Sequence, residues 1–253
     1  MVGKESAPGR LALKIGSVPA QTPTMVSVVM VAAGKGTRMG ANIDKLFLEV
    51  AGRPIVEHTW RRLDAAEAVD EIVVVVRDGM QGEFEKMAAD IGVTKPWRCA
   101  PGGKERQDSV GNGLAAVSEE SRIVAIHDAA RPCVTGKLIR ATVEAAKATG
   151  AAVAAQRVTD TIKECDDGST ISGHPDRSRL WAVQTPQTFQ IDVIRKALEE
   201  VKRRGVAITD DTAACELIGQ PVKLVEFSEP NPKATSPADL PYLELLLGAE
   251  GSG

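Results

Sequence analysis

Residues 28–40, VVMVAAGKGTRMG, run from an apolar β-branched stretch into a glycine loop that carries Lys35 and Arg38. Lys45 stands seven residues beyond Arg38. The backbone N–H groups of such a loop can cradle phosphate oxygens. Cations beside it suit a triphosphate whose charge must be held while one phosphorus is attacked. A second candidate is Asp128, directly after the apolar run IVAIH. Ligands of open α/β sheets sit beyond the carboxyl ends of the strands, and both candidates fall at such ends.

The glycines Gly34, Gly36 and Gly40 are spaced GxGxxxG, so Met39 stands where the dinucleotide fingerprint needs its third glycine. The next residues, ANIDKLFLEVAGRP, read as a polar stretch and a short strand rather than a helix. The run EIVVVV ends in Arg77, where a ribose-binding acid would be required. GxxxxGK[ST] is absent too, so the loop is neither a hydride-transfer site nor a P-loop.

The elements that must position these residues alternate. VSVVMVA (26–32), EIVVVV (71–76), RIVAIH (122–127) and AAVAA (151–155) are continuous apolar runs, as strands covered on both faces read. Helical periodicity occupies 54–66, where Ile55, Val56, Thr59, Trp60 and Leu63 share a face. It returns at 105–117, where Val110, Leu114 and Val117 do so, and at 137–150, which ends on a glycine. The alternation predicts an α/β fold with a mostly parallel sheet in three layers. The pattern breaks at about 157–181, where two short strand-like pieces flank the turn DDGS with little apolar content. This segment reads as a projecting β-arm in search of a partner surface. A helix is expected again at 191–205, a strand at 222–227, and a last helix from 236 to 247 with Ser236, Pro237 and Asp239 at N-cap, N1 and N3.

Composition narrows the classes. A length of 253 residues with 43% apolar and 26% charged residues is ordinary for a soluble globular chain. A net charge of −3 argues against non-specific nucleic-acid binding, and no apolar stretch is long enough for a membrane span. The four scattered cysteines suit a reducing cytoplasm and neither a disulfide framework nor a zinc site. With three histidines, nucleophilic triads have few candidates. Residues 1–24 show no apolar core of a signal peptide and read as a flexible N-terminal extension before one domain spanning 25–250.

Eight segments then align in series with one family: AAGKGTRMG, DKLFLEVAGRPIVEHT, PGGKERQDSVGNGL, HDAARPCV, DTIK, LWAVQTPQTF, TDDTA and NPKATSPADL. In order and spacing the chain resembles the 2-C-methyl-D-erythritol 4-phosphate cytidylyltransferases of non-mevalonate isoprenoid biosynthesis. The resemblance implies a three-layer Rossmann-like nucleotidyltransferase. Its reaction takes CTP and methylerythritol phosphate to CDP-methylerythritol and pyrophosphate, with Mg²⁺. A phosphate monoester is already mostly dianionic near neutral pH, so the nucleophile needs no general base.

By position, Arg38 and Lys45 match the residues that stabilise the transition state at the α-phosphorus. Ala32, Ala33, Gly34 and Gly36 match the nucleotide loop, and Gly103, Arg106 and Ser109 match the motif for cytosine and ribose. Asp128 and Arg131 match residues near the sugar phosphate and metal. Thr185, Thr209 and Lys233 match residues that hold the acceptor phosphate. Asp210 and Asp211 read equally as first-turn acids of the next helix. Thr161 and Arg177 match arm residues that complete the partner's site in a homodimer. The chain departs from the family where Asp44 and Leu46 replace the usual Pro and Gln around the lysine, and where Pro232 precedes Lys233. Competing readings are a ribitol 5-phosphate cytidylyltransferase and a catalytically silent nucleotide-binding protein. The retained Arg38, Lys45 and Lys233 speak against the silent one.

Overall fold

A computed structural model describes residues 24–34 and 44–249. The extension expected at 1–24 therefore lies outside the described residues except for Thr24, as do Lys35, Gly36 and Arg38.

Three apolar runs form the centre of a seven-stranded sheet: β1 (Met25–Val31), β4 (Glu71–Val76) and β6 (Ser121–Asp128). Side chains alternate across a strand with period two, so each run feeds two cores. From β1, Val28 and Met30 enter one core and Val29 the other; Val74 and Val75 of β4 divide likewise. The first core is closed by α1 (Ile55–Ala65), α2 (Gln81–Ile91), α4 (Gly136–Thr149) and α7 (Leu240–Gly248). These place Trp60, Phe84, Ile139 and Leu243 against the sheet. The second is closed by α3 (Arg106–Ala116), α5 (Ile191–Arg204) and α6 (Asp211–Glu216), through Val110, Leu114, Ile194 and Cys215. The burial of α1 follows the predicted stripe: Ile55, Val56, Thr59, Trp60 and Leu63 are all fully buried.

The remaining strands are β5 (Trp97–Pro101), β7 (Ala151–Arg157), β8 (Trp181–Gln190) and β9 (Lys223–Glu226). The order is β5-β4-β1-β6-β8-β7-β9, parallel except that β8 runs antiparallel to β6 and β7. The polar sequence WAVQTPQTFQ carries no apolar run to mark β8, and Pro186 within it speaks against a central strand. The ladder accommodates this proline: pairing with β6 stops at Gln187, and the register against β7 shifts between Val153 and Ala155. The Thr185–Pro186 peptide is cis.

After Gly34 the described chain resumes in a single 3₁₀ turn, Lys45–Phe47, and a hairpin of β2 (Glu49–Val50) and β3 (Arg53–Pro54), with no helix. The segment expected as a β-arm holds less strand than its sequence promised. Between β7 and β8 the chain forms one isolated bridge, Glu164 to Gly173, and residues 159–172 are all exposed. Its base is fastened by the Arg157 guanidinium stacked 4.1 Å from the Trp181 ring centroid. The last helix begins as expected: Ser236 and Asp239 form a reciprocal capping box with Pro237 at the first position, although that first turn is 3₁₀.

Candidate active site

Chain order reverses at β1. The chain passes from it to β4 and β5 on one side and then to β6 on the other, which opens a crevice at the carboxyl ends of β1 and β6. Val31 pairs with Asp128 across this crevice, and the Ala129 N–H donates to the Val31 carbonyl at 3.1 Å. Register alone thus brings the first glycine loop and Asp128 together. A cleft of about 90 Å³ lies there, bordered by Gly34, Lys45, Arg106, Asp128 and Lys233 among others.

Asp128 is the hub. Arg106 Nη1 donates to its Oδ1 at 2.7 Å, Lys233 Nζ donates to Oδ2 at 2.7 Å, and Arg131 Nε lies 3.8 Å from Oδ2. Burial would raise its pKa, but the Arg106 and Lys233 charges overcome that and hold the carboxyl well below the usual range. Arg106 spans two acids, because its Nη2 also donates to Asp211 Oδ2 at 2.8 Å. Asp211 is fully buried; desolvation pushes its pKa up against the pull of Arg106, and its Oδ1 has no partner among the described residues.

Asp211 is held there by Gln187. That side chain accepts from the Asp211 N–H at 3.0 Å and donates to Asp210 Oδ2 at 3.0 Å, while Asp210 caps α6 by accepting from the Ala213 N–H. The two acids read as first-turn residues therefore differ. Asp210 is the cap, and Asp211 reaches into the site as the second partner of Arg106.

A chain of neutral bonds fixes the end of β6. The Asp128 N–H donates to Thr185 Oγ at 3.1 Å, and that hydroxyl lies 3.1 Å from His127 Nδ1. His127 Nε2 lies 3.2 Å from the Arg131 carbonyl. The carbonyl can only accept, so Nε2 carries the proton and Nδ1 accepts from Thr185. Burial lowers the His127 pKa to about 4, which keeps the ring neutral. Enclosed in this way, His127 bonds locally. Asn231 completes the frame: its Nδ2 donates to the Thr185 carbonyl at 2.8 Å, and its own carbonyl accepts from Arg131 Nη1 at 2.7 Å.

Lys45 is buried and donates to the Ala234 carbonyl at 2.9 Å, which ties the start of the 3₁₀ turn to the loop that carries Lys233. The second motif packs on the first. A Cβ on Gly102 would stand 2.6 Å from the Ala33 Cβ, and one on Gly103 2.2 Å from the Asp108 Cβ, so neither position admits a side chain without rearrangement. Ser109 Oγ accepts from the Gly103 N–H at 2.9 Å and donates to the Glu105 carbonyl at 3.2 Å, shaping this loop from within.

The structure thus gathers Gly34, Lys45, Arg106, Asp128, Arg131, Thr185 and Lys233, with Ala32 and Ala33 on the strand exit beside them. Thr209 is exposed just before the Asp210 cap. Thr161 and Arg177 stay out on the arm, where Arg177 Nη1 donates to the Thr159 carbonyl at 2.7 Å. Sequence reasoning missed Gln187 and Asn231, and left Asp211 undecided. The only signal was the position of each inside one of the eight motifs.

A doubly wound sheet with a cation-lined cleft at its switch point places the chain among α/β proteins built to hold an anionic, phosphate-bearing ligand. Comparison with known proteins makes this specific. The family model for 2-C-methyl-D-erythritol 4-phosphate cytidylyltransferase matches residues 26–249, and the chain belongs to that family. Curated relatives of that description include one from Pelotomaculum thermopropionicum, 41% identical over 225 residues, or 88% of this chain and 94% of the relative. Another, from Geobacillus thermodenitrificans, is 42% identical over 221 residues, 87% of this chain and 96% of its own. Among solved structures, the 4-diphosphocytidyl-2C-methyl-D-erythritol synthase of Anaerococcus prevotii superposes with a TM-score of 0.79 at 27% identity, covering 88% of this chain and 96% of that one. The Thermus thermophilus cytidylyltransferase does so with a TM-score of 0.70 at 32% identity, covering 88% and 98%. The agreement on methylerythritol phosphate disfavours the ribitol phosphate and silent-binder readings.

Proposed function

We propose that the chain carries out its family's reaction by direct attack of the acceptor phosphate on the α-phosphorus of CTP, within the cleft between β1 and β6. It transfers CMP from CTP to 2-C-methyl-D-erythritol 4-phosphate, giving CDP-methylerythritol and pyrophosphate. The observation that carries this route is the charge of the cleft. Among the described residues that line it, Lys45, Arg106 and Lys233 stand against the one carboxylate of Asp128, and the neighbouring imidazole of His127 is enclosed and neutral. Among the described residues such a site offers no accessible general base, and it is well supplied with cations. That suits a dianionic nucleophile whose obstacle is repulsion from a polyanion.

In this reading Lys45, with Arg38 of the first motif, neutralises charge that builds at the α-phosphorus. Ala32, Ala33, Gly34 and Gly36 offer the backbone cradle. Gly103, Arg106 and Ser109 form the nucleoside side, with Ser109 acting through the loop it folds. Asp128, Arg131, Thr185, Thr209 and Lys233 take the acceptor end. A magnesium ion fits this donor set in one form. The described residues contain no cluster of three or more metal-ligating side chains, and both Asp128 oxygens are engaged by cations. The ion would be held chiefly by substrate phosphates, with Asp128 alongside, as is usual for Mg²⁺ at phosphate sites, and would add positive charge there. Thr161 and Arg177, which match the family's arm residues and are exposed here, are assigned to the partner's site in a homodimer. We place the enzyme in the cytoplasm, in keeping with cysteines scattered without the spacing of a disulfide framework; among the described residues no helix is long and apolar enough to cross a membrane.

Purified protein with CTP, Mg²⁺ and methylerythritol phosphate is expected to release pyrophosphate. Lys45→Ala is expected to lower kcat by roughly 10²-fold or more, the usual effect of removing one transition-state donor. A near-normal kcat would reduce Lys45 to a structural cation.

A further inference from the structure

Arg77 follows directly on β4, outside the lining of the cleft, and the reaction gives it no task. Its guanidinium pairs with Asp44 Oδ2, the two side chains being 27% and 22% exposed. The other oxygen of Asp44, Oδ1, accepts from the Leu46 N–H at 3.2 Å and caps the turn Lys45–Phe47. One carboxylate therefore closes the turn that begins with Lys45 and fastens it to the central sheet. A single 3₁₀ turn cannot hold itself, since ordering its residues gains too few hydrogen bonds. Asp44 stands where the family usually has proline, whose ring fixes φ near −65°. Here φ is −83°, just beyond the usual spread about that value, and no ring enforces it.

We infer that the Asp44–Arg77 pair is the positioning device for Lys45, a side-chain tether in the place of a backbone restraint. Lys45 and Leu46 border the cleft, whereas Asp44 and Arg77 do not. The pair therefore acts through Lys45 and not on substrate. The inference rests on Lys45 acting at the α-phosphorus.

The test is steady-state kinetics with CTP and methylerythritol phosphate, alongside thermal melting, for Asp44→Ala, Asp44→Asn, Arg77→Ala, the Asp44→Ala/Arg77→Ala double variant, and Asp44→Ala in a Lys45→Ala background. Asp44→Ala is expected to lower kcat about 10-fold with the KM for CTP within about 2-fold, because a misplaced group costs the transition state most. Asp44→Asn, which keeps the capping oxygen, should lose less and guards against a folding defect in the alanine variant. The double variant should be no worse than Asp44→Ala, the mark of a coupled pair. In the Lys45→Ala background, Asp44→Ala should change kcat no further. A full kcat with only a lower melting temperature, additive single effects, or an equal loss in the Lys45→Ala background would each overturn the tether. A Lys45→Ala protein with normal kcat would remove the assignment of Lys45 and the tether with it. Loss in Lys45→Ala with none in Asp44→Ala sinks the tether alone.

Discussion

The cluster around Asp128 and the arm between β7 and β8 both carry residues matched to the family's substrate site, and they are built in opposite ways. At Asp128, every charged group already has a partner within the chain, most of them from distant sequence: α3, α6 and the 231–234 loop converge on a carboxylate that is itself buried. On the arm, Thr161 and Arg177 are exposed, and the bond that Arg177 makes stays within the arm. Fourteen successive residues, 159–172, are open to solvent, including the apolar Ile162 and Ile171. One region is finished by folding; in the proposed homodimer the other would be finished by a second surface. Stability and activity should therefore be coupled at the first and separable at the second.

The hardest blow to this contrast falls at Asp128. Asp128→Asn leaves Arg106, Lys233 and Arg131 repelling one another around a neutral amide. Removing one partner of a buried ion pair costs about 3–5 kcal/mol, and kcat/KM is expected to fall by at least about 10²-fold as well. Kinetics and denaturant unfolding of the same variant check both; a stable, active protein would show that the cluster does not organise the site.

Arg177→Ala tests the other side. Acceptor use should drop by roughly 10-fold or more while unfolding stability moves by no more than about 0.5 kcal/mol, as for other exposed substitutions. Mixed with Lys45→Ala subunits, the variant should regain activity, because a heterodimer then has one intact site if Arg177 works across the interface. No recovery would place Arg177 in its own subunit's chemistry or in none.

The smallest effect is on pH dependence. His127 stays neutral in the fold down to about pH 4, whereas an unfolded histidine takes up a proton near pH 6.5. The unfolded chain thus binds more protons between these values, so stability is full above about 6.5 and declines as pH falls towards 4. His58, also lowered chiefly by burial, adds to the same slope. In His127→Gln the fall in melting temperature over this window should be shallower but not absent. An unchanged slope would mean that the ring is not locked neutral.

What could be read in the sequence divides along similar lines. The strands β1, β4 and β6 were legible because burial on both faces leaves an unbroken apolar run, and α1 because its buried stripe repeats with helical period. The cleft was legible with them, since strand ends locate it. The strand β8 was not legible: Thr185, Gln187 and Thr188 are buried for their hydrogen bonds, so the segment lacks an apolar signature. Asp211, Gln187 and Asn231 were hidden for a related reason. Their roles come from partners 105, 24 and 46 residues away, a pairing that no local pattern encodes. The arm was legible as an oddity, but its two strand-like pieces reduce to a single bridge, because among the described residues nothing packs over 159–172.

The double grip of Arg106 on Asp128 and Asp211, and of Lys233 on Asp128, has a consequence for how substrate enters. Long cationic side chains normally wander, and stilling each one on binding costs about 0.5–1.5 kcal/mol. Here two of them are already still before any phosphate arrives, because Asp128 stands in as a resident anion. If phosphates enter as proposed, they would meet a mould that was cast during folding, with much of the ordering that a polyanion would otherwise impose done in advance.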